Sequence, residues 1–215
     1  MEVSEVIIEL FQGFGTTCLI FILSLVLSLP LGLVITAGSM SKFGPLKYIT
    51  KVFVWIIRGT PLMLQVIIVY YGPGLWFDLS IKNFRFAAVI VAFVINYACY
   101  FSEIYRGGIE SISKGQYEAG YVLGMSKAAI FFRVILPQVV KRILPSISNE
   151  VITLVKDTSL AFTISVAEMF TTAKALASSQ TSMMPFVAAG LFYYVFNFVV
   201  AWVMEFVEKK LDYYR

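Results

Sequence analysis

The sequence has no histidine, only two cysteines, and few charged residues for a chain of 215 residues. Without histidine, it lacks the commonest metal ligand and the usual general base. Cys18 and Cys99 both lie within apolar runs, so neither a structural disulfide nor a thiolate metal site is expected. The phosphate-binding pattern Gly-x-x-x-x-Gly-Lys-Ser/Thr is also absent. These absences argue against an enzyme, and we expect the chain itself to bind no metal or other cofactor.

Apolar residues dominate the composition. Hydrophobic residues make up 59% of the chain and charged residues 14%, whereas soluble domains have about 25% charged residues. The chain is therefore expected to be an integral membrane protein. At about 20 residues per helical span, its length allows roughly five or six crossings. This leaves no room for a separate soluble domain, so residues 1–215 are expected to form one transmembrane domain.

The apolar runs predict an all-α protein with five transmembrane helices. They lie at about Leu10 to Ala37, Phe53 to Tyr71, Phe84 to Tyr105, Ile143 to Met169 and Pro185 to Val207. The start, Met1-Glu-Val-Ser-Glu5, lacks the basic region of a signal peptide, so the first span is expected to be retained. Glu2, Glu5 and Glu9 recur at helical spacing, which predicts a short surface helix before that span.

Glycine and proline residues predict breaks in these spans. Pro30-Leu-Gly32 is expected to bend the first, and Gly72-Pro-Gly74 and Arg106-Gly-Gly108 are expected to end the second and third. Arg58-Gly-Thr-Pro61 interrupts the second span, which is either kinked or made of two half-helices. Pro61 suits a first helical position with Thr60 as the N-cap.

Cationic residues are distributed unevenly between alternate loops. One set comprises Lys42, Lys47, Lys51, Arg58, Arg106, Lys114, Lys127, Arg133, Lys141, Arg142, Lys209, Lys210 and Arg215. The other comprises only Lys82, Arg85 and Lys174. The positive-inside rule puts the first set in the cytoplasm, with the N-terminus outside and the C-terminus inside. This asymmetry accounts for the net charge of +4 without a nucleic-acid partner.

The polar stretch from about residue 109 to 142 contains a spaced pattern. Glu118-Ala-Gly120 is followed by Gly124 and then by Val134-Ile-Leu-Pro137. The pattern resembles the EAA loop of bacterial ABC importer permeases, which reads Glu-Ala-Ala, three residues, Gly, nine residues, Ile, one residue, Leu-Pro. Gly120 replaces the second alanine of that pattern, and Val134 replaces its isoleucine. The resemblance implies a cytoplasmic coupling helix that contacts a separate ATPase subunit.

Other segments resemble one subfamily, the polar amino acid uptake permeases for histidine, arginine, lysine, glutamine and similar substrates. These segments are Arg58-Gly-Thr-Pro-Leu62 with Gln65, Ser102-Glu-Ile-Tyr-Arg-Gly-Gly108, Lys114-Gly-Gln116 and Lys156-Asp-Thr-Ser-Leu160. The resemblance runs from about Gly15 to the C-terminus. It implies a five-helix subunit with the type I ABC importer permease fold in the bacterial inner membrane. It also implies a second permease (a homodimer being favoured), ATPase subunits that bind ATP and magnesium, and an extracellular solute-binding protein.

The loop also has a direct physical interpretation. Gly120 and Gly124 are four residues apart, so we expect them on one helical face, forming a groove for a partner's backbone. Glu118 near the helix start is expected to favour the helix dipole and to pair with a partner's arginine. The residues expected to contact the ATPase are Tyr117, Glu118, Ala119, Gly120, Leu123, Gly124 and Met125. The alternative is an ordinary amphipathic helix at the membrane interface.

Ionisable residues inside the predicted spans mark the candidate substrate site. Each costs about 2.5–3.5 kcal/mol at the bilayer centre, so they are expected to pair or to line a wet cavity. The predicted set is Asn96, Tyr100, Glu103, Glu150, Lys156, Asp157, Thr158, Ser159, Arg58, Thr60 and Gln65. Lys156 and free amides near Thr60 are expected to bind an α-carboxylate, and Asp157, with Glu150 or Glu103, an ammonium or guanidinium group. The alternatives are that Glu150 pairs with Lys156 or an arginine to hold a dimer together, and that Arg58 and Glu103 form a gate or interface.

The leading hypothesis is a permease subunit of an ATP-driven amino acid importer that works by alternating access. The acidic excess in the predicted site favours arginine, lysine or histidine as the substrate, and glutamine remains open. The alternative is an ion-coupled transporter or channel that uses the buried carboxylates as a cation path. A membrane enzyme is disfavoured because no nucleophile–base pair or metal cluster is recognisable.

Overall fold

The computed structural model describes residues 3–79 and 83–211, and every regular element in these two ranges is helical. Glu2, Lys82 and Arg215, which contribute to the predictions above, lie outside the described residues. The α-helices are α1 (Val3–Ser39), α2 (Gly44–Arg58), α3 (Leu62–Phe77), α4 (Arg85–Glu110), α5 (Lys114–Val122), α6 (Lys127–Ile130), α7 (Leu136–Asp157), α8 (Met169–Gln180) and α9 (Met184–Leu211). A π turn (Phe131–Ile135) joins α6 to α7, and a 3₁₀-helix (Thr158–Ile164) follows α7.

Helix α1 is one uninterrupted helix, so the predicted surface helix before the first span is wrong. Glu5 and Glu9 lie in the first turns of α1, because no helix-breaking residue separates them from the apolar run that follows. Pro30 lies inside α1 and does not end it.

One face of α1 carries small residues and packs closely on α4. A Cβ atom at Gly32 would lie 3.0 Å from Phe101 Cβ and 3.1 Å from the Ala98 carbonyl oxygen. The buried Thr36 hydroxyl donates to the Gly32 carbonyl oxygen at 2.7 Å and approaches that of Ser102 in α4 at 3.2 Å. Small side chains with internally satisfied hydroxyls allow two helices to approach closely within an apolar environment.

The second predicted span is two half-helices. Helices α2 and α3 are inclined at 107° across the break. Pro61, in extended conformation, is the N-cap residue of α3, so the prediction of Thr60 as the cap is wrong. The Thr60 hydroxyl instead donates back to the Ile56 carbonyl oxygen of α2 at 3.0 Å.

The glycine-containing segments do not end their helices as predicted. Helix α3 continues through Pro73 to Phe77 and ends where Asp78 adopts a left-handed conformation. Helix α4 continues through Gly107 and Gly108 to Glu110. In an apolar environment a helix is the structure that satisfies its own backbone groups, which outweighs the weak helix propensity of glycine.

The fourth predicted span is displaced towards the N-terminus. Helix α7 begins at Leu136, with Pro137 in its first turn, and ends at Asp157 rather than at Met169. After the 3₁₀-helix, Ser165 adopts a left-handed conformation with φ 57°. Met169 then begins α8.

Within the described ranges, α1, α4 and α9 are long and apolar enough to cross a membrane, and the bent pair α2 and α3 makes a fourth candidate. Helix α7 does not meet the same criteria, and it contains Lys141, Arg142, Glu150, Lys156 and Asp157. The number of five spans therefore stays a prediction.

Three clusters of buried side chains hold the helices together. The largest lies between α1, α3, α4, α7 and α9 around Phe93, Tyr97 and Phe101. A second, including Leu10 and Met169, joins α1 to α8 and α9. The third joins the end of α4 to the segment from α5 to α7, and its buried members are Ile112, Ile130, Ile135 and Val139.

The closest approach of α1 to α8 gives a prediction on stability. A Cβ atom at Gly13 would lie 2.9 Å from the backbone Cα of Met169, which cannot rotate away. We expect Gly13→Ala to destabilise the protein by about 1–3 kcal/mol, the usual cost of overpacking. Thermal unfolding of the purified protein in detergent measures the effect.

Gly15→Ala is the matched control, because a Cβ atom there would meet nothing within 4 Å. This variant is expected to unfold at or above the temperature of the unmodified protein. Equal unfolding temperatures for both variants would contradict the close packing of α1 on α8.

Candidate functional site

The break between α2 and α3 is held to α4 by a buried hydrogen-bond network. Gln65 Nε2 donates to the Ile57 carbonyl oxygen at 2.8 Å and to the carbonyl oxygen and hydroxyl of Thr60 at 3.1 and 2.9 Å. Gln65 Oε1 accepts from Asn96 Nδ2 of α4 at 3.0 Å. The structure thus brings together Thr60, Gln65 and Asn96 as predicted, but their polar groups bind one another and the carbonyl groups that the break leaves free.

A second group lies at the end of α4 and joins it to α2. Arg106 donates to both carboxylate oxygens of Glu103, at 3.0 and 2.6 Å, and to Glu110 at 2.6 Å. Arg58 of α2 lies 3.6 Å from Glu103 and 5.0 Å above the ring centre of Tyr100. The predicted residues Arg58, Tyr100 and Glu103 are therefore together, in a partly exposed cluster of three ion pairs.

The carboxylates of α7 have different environments. Tyr97, which is 2% exposed, donates its hydroxyl proton to Asp157 Oδ2 at 2.7 Å. Glu150 is half-buried, and within residues 3–79 and 83–211 no hydrogen bond or ion pair ties it to another side chain. One carboxylate on this face is thus fixed by a buried phenol, and the other is held by no direct hydrogen bond from a described side chain, although Arg58 of α2 is near enough for its charge to act on it.

Lys156 lies in a different place from the one predicted. It is exposed and lines a cavity of about 370 Å³ between α7, α8 and α9. The cavity is lined by Lys156, Ser159, Phe170, Phe186, Ala189, Gly190 and Tyr193. Thr60 does not border this cavity, and the expected joint site of Lys156 and the helix break stays a prediction. Consecutive residues of a helix point about 100° apart, which separates Lys156 from Asp157.

The two hydroxyl residues after Asp157 are bound locally. Thr158 donates to the Val155 carbonyl oxygen at 2.7 Å, and Ser159 donates to that of Lys156 at 2.8 Å. Thr158 is buried, whereas Ser159 borders the Lys156 cavity. Of the two, only Ser159 has a place beside a cavity.

The predicted ATPase-coupling residues lie on and after α5, in a geometry that differs from the prediction. Gly124 is not on a helical face with Gly120, because α5 ends at Val122 and Gly124 has φ 72°. The amide of Gly124 donates to the Tyr121 carbonyl oxygen at 2.9 Å, and that of Met125 donates to the Gly120 carbonyl oxygen at 3.0 Å. These two bonds form a Schellman motif, in which the left-handed residue is usually glycine. The predicted groove is therefore wrong.

The other coupling residues divide into an inner and an outer set. Tyr117 and Met125 pack inside, against the third cluster. Leu123 is 78% exposed, beside Val122 at 88%, and Glu118 and Ala119 are also exposed. The outward face of this turn thus includes Val122, which the sequence pattern did not single out.

The sequence prediction also missed Tyr97 and Glu168. Glu168 is fully buried and caps α8, accepting from the amides of Phe170 and Thr171 at 2.7 and 2.6 Å. It also accepts from the Tyr193 hydroxyl of α9 at 3.1 Å. The available signal was a lone glutamate near the end of a predicted apolar span, where an ionisable residue needs several donors.

Comparisons with known proteins agree with this architecture. Residues 28–213 match the family described as the binding-protein-dependent transport system inner membrane component. The L-cystine transport system permease protein TcyB of Bacillus subtilis (strain 168) is 37% identical over 94% of this chain and 86% of its own length. The arginine transport system permease protein ArtQ of the same organism is 37% identical over 93% of this chain and 91% of its own.

A solved structure described as an amino acid ABC transporter with histidines superposes with a TM-score of 0.88 at 29% identity. The match covers 98% of this chain and 100% of that one. The chain therefore shares its overall fold with a solved amino acid ABC transporter.

The hydrogen bonds of Gln65 give a prediction for the helix break. In Gln65→Leu, three carbonyl and hydroxyl acceptors and Asn96 Nδ2 lose their partner. Unpaired buried polar groups cost about 1–3 kcal/mol each. We expect a clear fall in unfolding temperature in detergent, and Gln12→Leu, at an exposed position of α1, is the control. Equal effects of the two substitutions would show that the network does not hold the break.

Proposed function

The chain belongs to the family of binding-protein-dependent transport system inner membrane components, and on that premise we propose that it carries basic amino acids inward. It is the permease subunit of an ATP-driven amino acid importer and does not itself hydrolyse ATP. The observation that supports a basic substrate is the half-buried Glu150, which within residues 3–79 and 83–211 forms no hydrogen bond or ion pair with another side chain, although the charge of Arg58 acts on it from α2. A carboxylate at this depth needs a cation, and a basic side chain supplies one.

The substrate site that we propose lies between α4 and α7. Asp157 binds the α-ammonium group through the oxygen that Tyr97 leaves free, and Glu150 binds the side-chain guanidinium, ammonium or imidazolium group. Asn96, Gln65 and Thr60 hold the helix break that borders the path. Lys156, at the end of α7, attracts the α-carboxylate during passage. Thr158 and Ser159 lie close by, at the start of the 3₁₀-helix.

Arg58, Tyr100 and Glu103 are proposed to act as a gate at the cytoplasmic end of this path. Of the three ion pairs in this cluster, the one between Arg58 and Glu103 connects α2 to α4, and the other two lie within α4. The guanidinium of Arg58 lies 3.6 Å from Glu103 and its side chain is 41% exposed, so this link from α2 is weaker than the close pair within α4. An ion pair of this strength can break and re-form at a small cost in free energy.

The energy reaches the permease through α5 and the turn that follows it. In this proposal Glu118, Ala119, Leu123 and Gly124 contact the ATPase, whereas Tyr117, Gly120 and Met125 hold the turn in shape. Closure of the ATPase pair pushes the loops of two permease copies together and opens the outer face to an extracellular solute-binding protein. Two copies of this chain form a homodimer in the lipid bilayer.

The orientation follows from the distribution of cations. The N-terminus lies outside, and α5, α6 and the C-terminus lie in the cytoplasm. This orientation places the exposed turn around Leu123 on the side where ATP is available.

Reconstitution tests the function. The permease is co-purified with its ATPase subunit, placed in liposomes with its solute-binding protein, and supplied with radiolabelled arginine. We expect uptake that requires ATP and competition by lysine and histidine stronger than by glutamine or cystine. Preferential competition by glutamine or cystine would overturn the substrate class. Uptake that persists without the ATPase and collapses with the ion gradient would favour an ion-coupled transporter.

The role of Asp157 gives a second prediction. Asp157→Asn keeps the shape but removes the charge, and a hydrogen bond to a charged group contributes about 1.5–3 kcal/mol. We therefore expect KM for arginine uptake to rise about 10-fold or more.

Asp78→Asn is the matched control, because Asp78 is exposed at the end of α3 in a left-handed conformation that asparagine adopts readily. It is expected to leave uptake unchanged. An unchanged KM in Asp157→Asn would remove Asp157 from the proposed site.

A further inference from the structure

The chain from Ser126 to Asp157 is continuously helical, but it changes helix type on the way. Ser126 caps α6 by accepting from the Ala129 amide at 3.2 Å. The π turn Phe131–Ile135 then leads into α7 without a break. Helix α6, the π turn and α7 therefore form one rod that runs from the cytoplasmic loop to the proposed substrate site.

The π turn explains an unusual spacing of buried side chains. Ile130, Ile135 and Val139 are 1%, 0% and 3% exposed and belong to the third cluster. Residues five apart do not share a face of an α-helix, but they do across one turn with i to i+5 hydrogen bonds. The four-residue step from Ile135 to Val139 fits an α-helix. The π turn thus puts Ile130 on the buried face that α7 continues.

Ile130 fits against the backbone of α5 at Gly120. A Cβ atom at position 120 would lie 2.6 Å from Ile130 Cγ1 and 2.9 Å from Cδ1. Glycine is the one residue that accommodates Ile130 without displacement. This close fit explains why the chain departs from the alanine of the EAA pattern at this position.

Further contacts tie the same rod to α5 and to the end of α4. Gln138 of α7 donates to Gln116 Oε1 of α5 at 3.2 Å. Arg142 donates to the carbonyl oxygen of Ser111, just after α4, at 2.7 Å. At Gly108, a Cβ atom would overlap with Ile143 Cγ2, so α4 and α7 are in close contact there.

We propose that Ile130, seated on Gly120 and aligned by the π turn, is the positioning residue that fixes α5 to α7, so that α5, α6 and the start of α7 move as one rigid body. A push on α5 then rotates α7, which carries Glu150 and Asp157, and reaches α4 through Gly108 and Arg142. The inference rests on the proposed function, since it describes how ATPase movement reaches the solute site.

A cross-link tests whether α5 moves relative to α7. Gln116→Cys and Gln138→Cys are introduced together in a chain with Cys18→Ala and Cys99→Ala, and a short bis-methanethiosulfonate joins them. Because the two helices form one body, the cross-link is not expected to block ATP-driven arginine uptake. We expect the rate of uptake to stay within about 3-fold of that of the unlinked complex, which is smaller than the largest effects of mutations on coupling between sites. Uptake that is lost on cross-linking and restored by a reductant would overturn the proposal.

The single-cysteine variants, treated with the same reagent, control for the bulk of the linker. Failure of the unlinked complex to take up arginine with ATP would instead count against the proposed function. The two failures are therefore distinguishable.

Ile130 itself is tested by a compensating pair of substitutions. Gly120→Ala displaces Ile130 and is expected to lower uptake per ATP hydrolysed about 3- to 30-fold while the complex still assembles. Adding Ile130→Ala removes the overlap, and at least half of the lost coupling is expected to return. A merely structural role would change the amount of complex and leave uptake per ATP unchanged. That outcome, or no recovery in the double variant, would overturn the assignment of Ile130.

Discussion

Polar groups inside an apolar surrounding need partners, and this constraint determines how α3, α4 and α7 are arranged. The break between α2 and α3 leaves carbonyl groups free, and Gln65 binds them while it is itself held by Asn96 of α4. Tyr97, one residue further along α4, binds Asp157 of α7. Neighbouring residues of one helix thus join the broken span to the helix that carries the unpaired Glu150.

The same two helices are joined again at their other ends, outside the proposed substrate site. Ser111 and Gly108 contact the start of α7 at Arg142 and Ile143, and the third cluster fills the space between α5, α6 and α7. A force applied to α5 is therefore expected to act on α4 and α7, the two helices that border the proposed solute path. Helices α4 and α7 thus connect the proposed ATPase contact at one end with the proposed solute site at the other.

The sequence predicted the all-helical membrane fold and the interrupted second span because each depends on local composition and spacing. It did not predict that α3 and α4 continue through their glycines, since the apolar environment overrides helix propensity. The position of Lys156, beside a different cavity from the one predicted, depends on how α7 is rotated about its own axis. The π turn before α7 contributes to that rotation. The partner of Gly120 is Ile130, ten residues away, and the donors to Glu168 come from two helices, so neither contact could be read from periodicity.

In the proposed mechanism, the solute lies between α4 and α7 against Glu150 and Asp157. Electron cryomicroscopy of the complete transporter, purified in arginine and without nucleotide, tests it most directly. We expect density for one amino acid in each permease copy, with its ammonium group within hydrogen-bond distance of Asp157 and its side chain against Glu150. Density confined to the binding protein, or to the Lys156 cavity between α7 and α9, would contradict it.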